Sequence, residues 1–204
     1  MKSADIARLM AAARALTPAL RAATYETLIG LLVVSGLRIG EAIGLDQTDV
    51  DGGALLVVVR HAKRGSSREV PLHETTIQAL RAYAKLRDRH FPEPRSQSLF
   101  VSTRGTRICQ SAVNDTFPGL VRHAGLDGRG ERCRPRIHDI RHSFAVRTLL
   151  DWYQQGANVD ARLPLLSSYL GHVNPASTYW YLEAAPELLA IVGKRLEGVL
   201  GELP

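Results

Sequence analysis

The sequence is short of cysteine, of long apolar runs and of any leader-like start, and each shortage removes a class of protein. Among 204 residues the only cysteines are Cys109 and Cys133. Two are too few for a disulfide framework or a cysteine zinc cluster. The longest apolar run, "IGLLVVSGL", falls far below the roughly 20 residues that a helix needs to span a bilayer. The opening stretch, "MKSADIARLMAAARALTPAL", is interrupted by Asp5, Arg8 and Arg14, so it does not read as a signal peptide. There is no Walker motif, no acidic metal cluster, no internal repeat and no low-complexity tract. The expectation is a soluble, cytoplasmic protein with no membrane partner, no cofactor and no metal.

What the sequence does have is positive charge. Lysine and arginine number 26 against 20 aspartates and glutamates, for a formal net charge of +6 and a pI near 9.7. A basic balance favours a polyanionic partner, most often nucleic acid. The length suits one domain, taken as residues 1–204.

Periodicity makes the chain mainly helical. A first helix starts near Ser3 and Asp5 and runs to about Arg14. Thr17 and Pro18 read as the cap and first residue of a second helix reaching Gly36, and "RIGEAIGL" forms a short third. The period then changes. "ALLVVVR" and "REVPL", separated by "HAKRGSS", predict an antiparallel β-hairpin with a basic tip. Helices follow from Thr75 to about Arg89, from Ser111 to about His123, from Ile137 to Gln155, from Ala161 to Leu170 and from Pro186 to Leu200. "SLFVS" suggests a further short strand, and residues 125–136 form a loop rich in glycine and arginine. The fold class expected is mainly α with a small antiparallel hairpin or sheet.

Four places carry polar residues in chemically suggestive arrangements. In "SGLRIGEAIGL", Arg38 follows a glycine turn and Glu41 lies one helical turn later, which on its own reads as a surface ion pair. The hairpin tip holds Lys63 and Arg64, and basic turns are usually only solvated. In "RIHDIRHSFA", His138 and Arg141 stand at i and i+3 on one helix face near a helix start, where anions are favoured. A capping histidine and a surface arginine fit equally well. His138 and His142 lack a partner at zinc-ligand spacing. In "LGHVNPASTYWY", His172 at a helix end would ordinarily be structural. Tyr179, Trp180 and Tyr181 follow it side by side, and adjacent rings cannot share a helix face.

Together, in this order, the motifs resemble the tyrosine recombinase family, which includes phage integrases. "SGLRIGE" is similar to the family's first arginine box. "HDIRH" is similar to its H-x-x-R-H box, with Ile140 where leucine is commoner. "LGH" followed nine residues later by Tyr181 resembles its third box and nucleophile. Lys63, eight residues before Pro71, fits the family's hairpin lysine. The resemblance runs from the first helix through Tyr181. It implies the recombinase catalytic-domain fold, with Arg38, Lys63, His138, Arg141, His172 and Tyr181 as catalytic residues.

What the resemblance implies chemically agrees with what phosphodiester cleavage requires. Two arginines would stabilise the non-bridging oxygens in a bidentate way that lysine does not match. The histidines would add donors, and one would accept the tyrosine proton. Tyr181 would form a covalent 3′-phosphotyrosine, with Tyr179 the second choice and Trp180 a core anchor. Lys63 would protonate the departing 5′ oxygen. Glu41 would support Arg38, and Arg60, Arg64, Arg68, Arg134 and Arg136 would contact phosphate. The implied partner is double-stranded DNA, with assembly into a tetramer on it. Residues 185–204, with Leu189, Val192, Leu196 and Val199 as an apolar stripe, would form a helix exchanged between protomers. The first arginine box arrives so early that no N-terminal core-binding domain is expected. Alternative readings are a non-catalytic DNA-binding relic or regulator, a basic helical interaction module, and strand relaxation of the type IB topoisomerase kind.

Overall fold

The computed structural model describes residues 1–62, 66–128 and 134–171. The chain divides into two compact units, Met1–Arg141 and His142–Pro204, a division that no shift of composition marks. The architecture is mostly helical, with one small antiparallel sheet of strand order β1-β2-β3.

The first unit is organised around α2 (Ala19–Ser35). Its sequence, "ALRAATYETLIGLLVVS", is apolar on nearly every side, and a helix of that kind must be buried all round. Accordingly α2 packs against α1 (Ser3–Arg14), α3 (Ile39–Gly44) and α4 (Glu74–His90). Its neighbours carry one apolar stripe each. In α1 this is Ile6, Leu9, Ala12 and Ala13. In α4 it is Ile77, Leu80 and Tyr83. In α5 (Gln110–His123) it is Val113, Phe117, Leu120 and Val121. Pro18 caps α2, one residue later than the sequence suggests, and no side chain bonds the first turn.

The hairpin forms where predicted, but its strands extend farther toward the tip. β2 covers Leu56–Ala62 and β3 covers Ser66–Pro71. A two-residue β1 (Val50–Asp51) adds to the other edge of β2. Val57 pairs with Val70 and Val59 with Arg68, and the register shifts between Val59 and Ala62. That shift places one extra residue on β2, a bulge that increases local twist below the tip. "SLFVS" is not a strand. Ser98 makes an isolated bridge to Asp46, and Val101 makes one to Arg107 where the chain doubles back through the tight turn at Gly105 (φ +77°).

Two arginines that look like surface charges in the sequence hold this segment. Arg87 is buried and donates from Nη1 to the carbonyls of Ser98 and Leu99 at 3.4 and 3.0 Å. Arg107 donates to the carbonyls of Ile43 and Leu45 at 2.8 and 3.2 Å. Each donates to backbone oxygens on the inner side of this segment, and the Leu45 carbonyl accepts from the Leu99 N–H at 2.9 Å as well.

The second unit, as described, contains the later turns of α6 (His138–Gln154) and α7 (Val159–Leu170). Ala145, Leu149, Val159, Leu163, Leu166 and Leu170 form its core. Phe144 stacks on Tyr169 with ring centroids 5.7 Å apart. Asn158 caps α7 by accepting from the Ala161 N–H at 3.1 Å, and Gly171 ends it in the left-handed region (φ 65°). Among the described residues no helix is long and apolar enough to cross a membrane. Residues 185–204, expected to form the exchanged helix, lie outside the described residues.

The Arg87 clamp gives a stability test. Arg87→Ala removes both carbonyl partners and should cost about 2 kcal/mol or more in urea unfolding. Asp88→Ala removes only Arg87's partner at 2.7 Å, a carboxylate that is 60% exposed, and should stay within about 1 kcal/mol of the parent. Equal costs for the two would show that the ion pair, not the carbonyl clamp, is what matters.

Candidate active site

The site begins with a change of chain direction. α2 ends at Gly36, which takes φ 62° and donates its N–H to the Leu32 carbonyl at 3.0 Å. Glycine suits this left-handed position because it lacks a Cβ. The turn leaves the Gly36 carbonyl oxygen facing the start of α6, where it accepts from Arg141 Nη1 at 2.8 Å. Arg141 is only 2% exposed, so this bond satisfies part of a charge held largely away from water.

Two residues beyond Gly36, Arg38 caps the N-terminus of α3 with extended backbone. Glu41 sits in the first turn and reaches back, its Oε2 accepting from the Arg38 backbone N–H at 2.9 Å. An acidic side chain there is favoured by both the open N–H group and the helix dipole. The same carboxylate receives two guanidinium groups. Oε1 accepts from Arg38 Nη1 at 2.9 Å and from Arg68 Nη1 at 3.0 Å, and Oε2 accepts from Arg68 Nη2 at 2.8 Å. Burial alone would push the Glu41 carboxyl up. The hydrogen bond from Arg68, then the Arg38 backbone bond and both positive charges, outweigh it and hold Glu41 below the usual carboxylate range. Glu41 is therefore ionised at neutral pH.

Arg68, expected from the sequence to contact phosphate, has its guanidinium taken up by Glu41. It lies two residues before the fully buried Val70 on β3, and alternate residues share a strand face. It therefore stands on the inner face, and its side chain is 14% exposed. An arginine at an apolar position of a strand is the signal that points to a buried acidic partner.

His138 opens α6, with Asp139 of the first turn accepting from the Arg136 backbone N–H at 2.8 Å. The imidazole stays partly in water, yet its proton affinity is reduced. Lost hydration on its packed side is the first cause and the charge of Arg141 the second. Asp139 opposes them, and Arg136 and Arg38 add to the depression. That His138 feels both Arg141 and Arg38 places the three groups in one region of the first unit. The arrangement presents cationic guanidinium groups beside a neutral imidazole, which suits stabilisation of a developing phosphorane charge and acceptance of a proton.

Of the other predicted residues, Arg60 is 57% exposed and ion-paired with the buried Asp49, and Arg134 and Arg136 are exposed. Lys63, Arg64, His172, Tyr179 and Tyr181 lie outside the described residues. Among the described residues no group of three or more His, Cys, Asp or Glu side chains is placed to hold a metal ion.

The family model described as the phage integrase family matches residues 1–187. The integrase/recombinase-like chain y4rE of Sinorhizobium fredii is 44% identical over 197 residues, covering 96% of this chain and 63% of that one. The crystal structure of XerA recombinase superposes with a TM-score of 0.75 at 25% identity, covering 96% of this chain and 62% of that one. The XerH site-specific recombinase, bound to a palindromic difH substrate after cleavage, superposes with a TM-score of 0.70 at 22% identity, covering 99% and 52%. The chain thus spans less than two thirds of the curated relatives it matches first, 63% of each.

The histidine environment predicts a pH response. In the free protein, an NMR titration of His138 should show a midpoint below the ordinary histidine value of about 6.5. The sign follows directly, because the folded state binds fewer protons here than the unfolded chain. This contribution to stability is present above the ordinary histidine range and lost as pH falls through the folded midpoint. A midpoint at or above the ordinary value would contradict the desolvated, cation-flanked placement.

Proposed function

We propose, from the fact that this chain belongs to the phage integrase family of tyrosine recombinases, that it carries the catalytic part of a site-specific DNA recombinase. The observation that carries this reading is the convergence of Arg38, His138 and Arg141 in the first unit, with Arg38 and Arg141 two residues and one hydrogen bond from the same turn at Gly36.

Attack on a DNA phosphodiester brings a nucleophile toward an already negative phosphorus, and the transition state spreads charge over the non-bridging oxygens. Fixed cations lower that barrier more than any covalent assistance does. Arg38 and Arg141 are assigned to those oxygens. Tyr181 supplies the attacking oxygen, and its proton passes to His138 or His172. The new bond joins the Tyr181 oxygen to phosphorus, and the bond from phosphorus to the 5′ oxygen breaks. Lys63 delivers the proton that the 5′ oxygen needs to leave. The 3′-phosphotyrosine keeps the energy of the phosphodiester. A 5′ hydroxyl from another strand then reverses the steps and joins the ends, with no net hydrolysis.

The same reading extends to partners. The basic balance, the exposed Arg60, Arg134 and Arg136, and the DNA held by the XerH structure support double-stranded DNA as substrate. Exchange of strands between two duplexes calls for four active sites, so a tetramer on DNA is proposed, with residues 185–204 as the exchanged segment.

Covalent capture on a nicked duplex tests the chemistry. The parent chain should give a protein–DNA adduct that survives denaturing electrophoresis, and Tyr181→Phe should give none while DNA binding stays within about twofold, since one uncharged hydroxyl adds little to phosphate-dominated affinity. Adducts that persist in Tyr181→Phe and vanish in Tyr179→Phe would overturn the nucleophile assignment.

A further inference from the structure

Glu41 serves two arginines at once, and they are not equivalent. Arg68 engages both carboxylate oxygens, at 3.0 and 2.8 Å, in the paired geometry that makes guanidinium–carboxylate contacts strong. Arg38 reaches the carboxylate through Nη1 at 2.9 Å and through its backbone N–H at 2.9 Å. The exposures differ in the same sense, with the Arg38 side chain at 39% and the Arg68 side chain at 14%. An ionised carboxylate offers about four acceptor sites, and these four donors fill them.

On the recombinase reading above, we infer that Arg68 is a positioning residue: by occupying both oxygens of Glu41, it limits the Arg38 guanidinium to the single Nη1 contact with that carboxylate. Arg38 then stays on the exposed side with its charge directed at DNA phosphate. The position of Arg68 follows from strand geometry. It lies opposite Val59 and on the inner face of an edge strand, where an arginine is tolerated only with a complete partner. Without Arg68, the ionised Glu41 keeps Arg38 beside it, already bonded through Nη1 at 2.9 Å. A bidentate Glu41–Arg38 pair would neutralise the charge that catalysis uses and turn it away from the substrate.

This role is separable from simple anchoring of the hairpin. Adduct formation is measured in single turnover with saturating nicked duplex, on variants whose folding is verified by urea unfolding. Arg68→Ala should slow the reaction about tenfold or more while DNA affinity changes little, because the loss falls on transition-state charge stabilisation. Adding Glu41→Gln should restore the rate to within about threefold of the parent, since an amide no longer competes for Arg38 and the two sites are directly coupled. Arg68→Gln removes the charge and the paired guanidinium donors but keeps a polar side chain; it should behave the same way, so it carries the test if the alanine variant does not fold.

A duplex with sulfur at the scissile 5′ bridging position needs no proton on the leaving group, because a thiol of pKa about 8.5 departs readily as thiolate. It should not rescue Arg68→Ala. Rescue by sulfur would assign Arg68 to the hairpin lysine instead, and a double variant as slow as Arg68→Ala would reject the competition for Arg38. Either result overturns the inference. Absence of any adduct with the parent chain would instead overturn the recombinase reading itself, whereas a normal parent adduct with a full-rate Arg68→Ala would overturn only the role of Arg68.

Discussion

A carboxylate taken partly out of water must be neutralised by its neighbours, and in this chain Glu41 is neutralised by arginines from two different elements. Arg38 comes from the cap of α3 and Arg68 from β3. Their shared acceptor ties the hairpin to the end of the buried helix α2. The desolvation that would raise the Glu41 carboxyl is overcome by these contacts. Because the pairing needs both arginines in register, the orientation of Arg38 depends on a strand residue 30 positions later in the sequence.

The second organising contact is a single backbone oxygen. Gly36 turns the chain through the left-handed region at the end of α2 and thereby aims its carbonyl at Arg141. Arg141 is 105 residues away in sequence, yet the bond places it near the start of α3, where Arg38 stands. Glu41 and Gly36 thus divide the work. One restrains the exposed arginine and the other satisfies the buried one, and the imidazole of His138 senses both charges. Such fixed cations need little reorganisation when charge develops on a substrate.

Much of the fold was legible because its signals are local. The apolar stripes of α1, α4 and α5 repeat at helical spacing, and glycine or proline lies close to several helix ends. The hairpin was recognisable by its change of period, although the polar "HAKRGSS" concealed how far its strands extend. The segment Ser98–Val101 has strand-like residues and yet makes only isolated bridges, since its inward carbonyls are met by Arg87 rather than by a neighbouring strand. Arg87, Arg107 and Arg68 all read as surface charges because the oxygens they serve come from distant positions or from the backbone, which sequence pattern does not display. Arg38, His138 and Arg141 were identified through family-like motifs, and no spacing rule alone separates them from capping residues and surface ion pairs.

The central claim is that Arg38, restrained by Glu41, acts on the charge of the scissile phosphate. Replacing one non-bridging oxygen of that phosphate by a methyl group removes the charge without altering the leaving group or the nucleophile. Covalent-adduct formation by Arg38→Ala on ordinary DNA should fall by about a hundredfold or more, whereas on the methyl-substituted duplex the variant should approach the rate of the parent chain on the same duplex. An Arg38→Ala variant as inactive on the neutral linkage as on the charged one would contradict the account.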